Sequence, residues 1–188
     1  MKLIDNISSL LKDDLAAVLR KNSKVAIAAA FFSIYAYDEL KEQLEEIDEL
    51  RFLFTSPTFT TEKAKKELRE FYIPQLNRER SLYGSEFEVK LRNELTQKAI
   101  AKECADWVRR KVTFKTNITQ GTMGGFINVQ SDDDRYTYMP INGFTTVDLG
   151  YEKGNNIYSM VNRLEAPFSA EYFRIFNDIW RTQKKCRM

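Results

Sequence analysis

The chain contains no histidine. No imidazole is on hand to attack phosphorus, to shuttle protons near neutral pH or to ligate zinc. Cysteine is almost as scarce. Cys104 and Cys186 lie far apart, with no metal-ligand spacing. Neither a metal site nor a resident cofactor is expected, and cysteine this sparse fits a reducing cytoplasm. Long apolar runs are also missing. The strongest candidate, residues 25–32, is strand-length and falls short of the roughly 18 residues that span a bilayer. No membrane partner is expected. The opening MKLIDNISSLLKDD carries charge too early and too often for a secretory signal. An excess of one charge is lacking too. Twenty-nine basic and 27 acidic side chains leave a net charge of +2, too small to announce nucleic acid. A basic face still forms if the charges are unevenly mixed.

What is present suits one domain. A chain of 188 residues can bury a sizeable core and is short for two domains. Thirteen phenylalanines and nine tyrosines supply large apolar area for a core or an interface. Ile7, Leu10, Leu11, Leu15, Val18 and Leu19 recur at helical spacing, with Asp13, Asp14, Arg20 and Lys21 for the wet face. Residues 25–32 are apolar at every position, as in a parallel strand covered on both sides. Residues 35–47 are amphipathic at helical spacing, and 50–55 form a second strand. Strand, helix, strand at this spacing predicts a parallel βαβ unit. Thr61 is a plausible N-cap for a helix running through Leu68 and Phe71. Residues 86–110 form the longest periodic segment, with Cys104 on its buried side, ending in Arg109, Arg110 and Lys111. Short strands follow at 112–115, 125–129 and 135–139, the last two joined as a hairpin by Ser131-Asp132-Asp133-Asp134. A glycine- and asparagine-rich stretch covers 141–156, and Ser169 opens a final helix to Thr182. The class is α/β: one domain over 1–188, a mixed sheet with helices on both faces.

Few motifs carry chemistry. Asp132-Asp133-Asp134 lacks the ligand alternation and distant glutamate of an EF-hand, so it reads as turn chemistry. Gly121-Thr122-Met123-Gly124-Gly125 lacks the Gly-Lys-Ser/Thr of a P-loop and precedes a strand instead of following one. A flexible loop or close backbone packing accounts for it better. Phe32-Ser33 and Ser56-Pro57-Thr58 sit at the carboxyl ends of the parallel strands, where open α/β sheets gather ligands; loop capping is the favoured alternative. The only candidate phosphate contacts are three basic clusters: Lys63, Lys65 and Lys66; Arg78 and Arg80; Arg109, Arg110 and Lys111. Glu62, Glu67 and Glu70 interleave the first, as on a solvated helix surface.

The block from Val25 to Phe59, VAIAAAFFSIYAYDELKEQLEEIDELRFLFTSPTF, resembles the opening of the phospholipase D-like nuclease domains fused to bacterial DEAD/DEAH-type helicases and found in some restriction enzymes. Ser85 to Lys115 is similar to the long helix before their catalytic strand. Met139 to Gly154, MPINGFTTVDLGYEKG, resembles the segment after it, where the family has Gly-Ser-x-Asn-Phe-Thr and then Leu-Gly. The family's reaction uses His-x-Lys followed by Gly-Ser: histidine attacks phosphorus, lysine holds the phosphate, serine steadies the site. Aligned on the strand at 125–129, Met123 and Gly125 stand at the histidine and lysine positions. Aligned on Phe144-Thr145, Pro140 and Ile141 stand at Gly-Ser. Only the scaffold residues Phe144, Thr145, Leu149 and Gly150 survive the comparison. The resemblance thus implies a phospholipase D-like fold with no catalytic residue, and the N-terminal part of a longer helicase-type protein. It also implies DNA and a helicase or ATPase domain as partners, and a homodimer, since such domains often pair across the active-site face. Two alternatives remain: a protein–protein docking domain that never touches DNA, and a metal-dependent nuclease using scattered carboxylates.

Overall fold

A run that is apolar at consecutive positions buries both faces of its strand, and Lys24–Ala29 sits at the centre of the sheet for that reason. The fold comes from a computed structural model and is described for residues 1–55, 94–119, 121, 123–132, 134–154 and 159–185, apart from the side chains of 94–98 and 184–185. The strands are β1 (Lys2–Ile4), β2 (Lys24–Ala29), β3 (Phe31–Phe32), β4 (Glu49–Phe54), β5 (Val112–Thr116), β6 (Gly125–Ser131), β7 (Asp134–Ile141), β8 (Gly143–Phe144), β9 (Val161–Leu164) and β10 (Lys184–Lys185). Five helices lie among the described residues: α1 (Leu11–Val18), α2 (Ile34–Glu39), α3 (Lys41–Glu46), α4 (Glu94–Lys111) and α5 (Phe168–Thr182). None is long and apolar enough to cross a membrane.

Eight strands form one mixed sheet in the order β1-β9-β7-β6-β2-β4-β5-β10. β2, β4 and β5 run parallel, as expected for the βαβ unit, while β6, β7, β9 and β1 extend the sheet antiparallel from β2. The main core lies on the face of α1 to α4. Val25, Ile27 and Ala29 of β2 point there with Phe52, Phe114, Ile127, Val129 and Trp107. The alternate positions Ala26, Ala28, Leu53 and Phe126 form a smaller cluster that packs against Phe176, Tyr172, Ile179 and Trp180 of α5. Helices therefore cover both faces of a mixed α/β sheet. Much of the aromatic content goes to the core: Phe32 meets Phe52, Phe114 and Phe144 with ring centroids 5.4–5.8 Å apart.

Several elements differ from the expectation. The first helix starts only at Leu11, because the Asp5 carboxylate accepts hydrogen bonds from the Ile7, Ser8 and Ser9 amides and holds a turn. Ile7 is exposed, and β1 precedes the turn. The apolar run 25–32 is not one strand. The Ala30 amide donates to the Asn142 carbonyl, and Phe31–Phe32 then pairs with Gly143–Phe144 in a separate two-stranded sheet. The helix expected over 35–47 is broken at Leu40 into α2 and α3. The hairpin β6–β7 forms as expected. Ser169 does not cap α5. It lies inside the first turn, fully buried, and Pro167 holds the cap position without a side-chain bond. The helix expected from Thr61 lies outside the described residues, as does the start of the segment expected from 86.

Candidate functional site

Ligands of open α/β sheets gather where parallel strands end and the strand order turns, here at the carboxyl ends of β2, β4 and β5. Polar side chains do collect on this rim, and they bond mainly to main-chain groups of the rim itself. The Ser33 hydroxyl accepts from the Tyr35 and Ala36 amides and caps α2. The Asn117 amide group donates to the carbonyls of Thr55 and Gly121, at 3.1 and 3.0 Å, and its Oδ1 accepts from the backbone and hydroxyl of Thr119. Ser33 thus takes the capping role, and Asn117 ties the loop after β5 to the end of β4. Ser56, Pro57 and Thr58 lie outside the described residues.

The same rim brings together positions far apart in sequence. Gly125 begins β6 beside the end of β2 and pairs with Ile141, the end of β7. Met123 and Met139 pack around Phe126 and α5. Gly125 has no room for a side chain: an ideal Cβ would stand 2.0 Å from the Ile141 carbonyl oxygen and 2.8 Å from that of Ala28. Ile141 is buried and Pro140 exposed. The residues after them are structural. Phe144 stacks on Phe32, the Thr145 hydroxyl donates to Asp148, and the Leu149 carbonyl accepts from the Lys12 amide. Gly150 takes a φ of +83°, which an L side chain rarely adopts.

Of the basic clusters, Lys63, Lys65, Lys66, Arg78 and Arg80 lie outside the described residues. The third cluster ends α4, as its helical spacing implied, and most of it is engaged. The Lys111 ammonium donates to the carbonyls of Glu45 and Ile47, closing the carboxyl end of α3. Arg110 pairs with both oxygens of the Glu45 carboxylate. Arg109 is 73 % exposed and pairs with Asp106 one turn earlier. Their alignment at one helix end therefore reflects α4 docking on α3 as much as any outward face.

A buried ionic cluster escaped the sequence reading. Asp14 falls between Leu11 and Val18 on the buried stripe of α1, not on its wet face. Its side chain is only 4 % exposed. It accepts hydrogen bonds from Lys2, from the Tyr138 hydroxyl at 2.9 Å and from Arg163 at 3.1 Å. Burial pushes its acidity down, but the hydrogen bonds from Lys2 and Tyr138 and the charge of Arg163 outweigh that. The carboxyl is held below its ordinary pKa. Burial and the adjacent carboxylate push the Tyr138 phenol far up. The i, i+3, i+4, i+7 set Leu11, Asp14, Leu15 and Val18 was the available signal, since it places Asp14 among leucines.

Cys104 is buried on α4 as expected, and desolvation raises its thiol pKa to about 12, so it is a packing residue rather than a nucleophile. Among the described residues, no group of three or more cysteine, aspartate and glutamate side chains is placed to hold a metal ion. No protein-family model matches the chain, and no curated protein sequence matches it.

Proposed function

We propose that this chain is a catalytically inactive, phospholipase D-like module that binds DNA, or positions a helicase or restriction-type motor on it. The observation that carries this reading is the meeting of Gly125 with Ile141 beside the end of β2. Two segments that the resemblance assigns to one active centre come together there, and neither brings reactive chemistry. Where a phosphate-holding lysine would stand, the Ile141 and Ala28 carbonyls leave no space even for a Cβ. A mixed sheet whose parallel strands are followed by an antiparallel hairpin is compatible with the resembled fold. A cytoplasmic setting fits the sparse cysteines.

One observation favours the second reading, a docking domain that does not touch DNA. Lys111 and Arg110 are held by α3 and Arg109 by Asp106, so each cation of the described cluster already has a partner. The deciding experiment is a titration with labelled duplex and single-stranded DNA at two salt concentrations, with parallel incubations in magnesium and manganese. Binding that weakens steeply with salt, and weakens again in Arg109→Ala, supports the DNA reading. No binding at low salt leaves the docking role. Metal-dependent cleavage that co-purifies with the protein and is lost on mutation overturns both.

A further inference from the structure

A sheet edge with no neighbour presents a row of unpaired main-chain donors and acceptors, and proteins normally guard such edges with charge. Among the described residues, the two edges of this sheet are β10 and β1. β10 is Lys184–Lys185, a strand whose sequence is two lysines. β1 is not guarded in this way. Its one cation, Lys2, already pairs with the buried Asp14. Ile4 points into the main core, so strand alternation turns Leu3 to the opposite face, where it is 54 % exposed. Opposite Leu3 stands Asn162 of β9, and Met160, just before that strand, is 44 % exposed on the same side by alternation. Phe168, the first residue of α5, follows β9 after three residues and is 68 % exposed. Among the described residues α5 packs chiefly on β7 and β6, two strands in from this corner at the β1 edge.

We propose that this corner is a self-association surface, on which two copies pair their β1 strands antiparallel about a two-fold axis through Leu3. The strand is self-complementary in that arrangement. Leu3 lies against Leu3 of the second copy, and Lys2 lies against Ile4, so no like charges meet. Odd-numbered positions of both strands fall on one face, and the two apolar corners become continuous. The area sets the strength. Met1, Leu3, Met160 and Phe168 together leave roughly 500 Å² per copy, so a dimer buries roughly 1,000 Å², the lower bound for a specific interface. The result is a weak, micromolar dimer rather than an obligate one. This surface is separated from the Gly125 rim by β9 and β7, so the proposal does not rest on the nuclease-like reading.

Cross-linking tests the axis directly. Residues facing each other across an antiparallel pair have Cα atoms about 4.5–5.5 Å apart, inside the window for a disulfide. Leu3→Cys in a Cys186→Ser background, mildly oxidised at about 100 µM, is expected to give a covalent dimer of twice 22.0 kDa. Ile7→Cys, exposed but outside the strand, is expected to give little covalent dimer. Leu3→Glu is expected to shift the sedimenting species to monomer with an unchanged circular-dichroism spectrum. A native chain that sediments as monomer at that concentration overturns the proposal. So does a dimer that survives Leu3→Glu and gives no Leu3→Cys cross-link. Either failure leaves the DNA titration untouched.

Discussion

Asp14→Asn isolates the buried ionic cluster, because it keeps the side chain's size and removes only its charge. The native carboxylate is 4 % exposed and faces two cations, Arg163 at 22 % exposure and Lys2 at 46 %. Removing one member of a buried pair costs about 3–5 kcal/mol, since the other charge is left uncompensated. Here the lower end applies. Arg163 keeps Glu165 at 2.9 Å, and Lys2 can turn to water. The expected loss is about 3 kcal/mol, or a fall in Tm of about 6–12 °C for a chain of this length. Double substitution with Arg163→Met removes the stranded charge and is expected to cost less than the sum of the two singles, with a coupling of about 2 kcal/mol. The pH dependence has a defined sign. Asp14 is held below its ordinary value of 3.8, so its contribution is present above that pH and is lost as pH falls through the lower folded value. The gap between native chain and Asp14→Asn is therefore full at pH 7 and closes only below about pH 4. Urea melts at neutral and acidic pH read all of this. A loss under about 1 kcal/mol at pH 7, or a gap that widens with acid, would refute the reasoning.

Gly125→Ala forces a Cβ onto the Ile141 and Ala28 carbonyls, so it is expected to destabilise by about 2 kcal/mol or more, measured by urea unfolding. Lys111→Ala removes the donor to Glu45 and Ile47 and is expected to cost about 1–2 kcal/mol. Arg109→Ala, on an exposed pair, is expected to change stability by less than about 0.5 kcal/mol, which makes it the clean variant for DNA binding. In a Cys186→Ser background, Cys104 is expected to resist thiol reagents until the chain unfolds, with labelling flat between pH 7 and about 9 because its thiolate is scarce below about 12. Fast labelling of the folded chain would show that α4 opens locally.

The parts of the fold legible in sequence were those where one physical pattern ruled. Residues 25–29 are apolar at every position, the pattern of a strand covered on both faces, and 50–54 follow one amphipathic segment later as its parallel neighbour. The hairpin 125–141 was legible because an aspartate-rich turn divides two β-branched and aromatic runs. Boundaries failed where a local hydrogen bond competed with periodicity. The Asp5 carboxylate captures three amides and delays α1. The Ala30 amide finds Asn142 and ends β2 three residues before the apolar run ends. β1 and β10 are too short for periodicity to register, and their partners lie far along the chain, Arg163 opposite Lys2 and Thr116 opposite Lys184.

The strand ends of the rim were legible from the βαβ pattern, but the meeting of Gly125 with Ile141 was not, for a physical reason. Periodicity reports which face a side chain takes, whereas a site is made by strand ends that meet from distant parts of the chain. Nothing in Met123 to Gly125 announces that Ile141 closes over it, and the closure is made by a carbonyl oxygen that no residue type encodes. The cationic ends were misleading in the opposite way. Arg109, Arg110 and Lys111 suit a helix carboxyl terminus whether the charge faces a phosphate or a neighbouring helix. Only the position of α3 separates the two uses. It draws Lys111 onto the carboxyl end of α3 and pairs Arg110 with Glu45 at the surface, while Arg109 pairs with Asp106 of its own helix. A DNA-binding surface on this chain can therefore use Arg109 and Arg110 only by exchanging their carboxylate partners for phosphate, and gains from cations beyond that cluster. Loss of binding in Lys63→Ala or Arg78→Ala with stability unchanged would place it there.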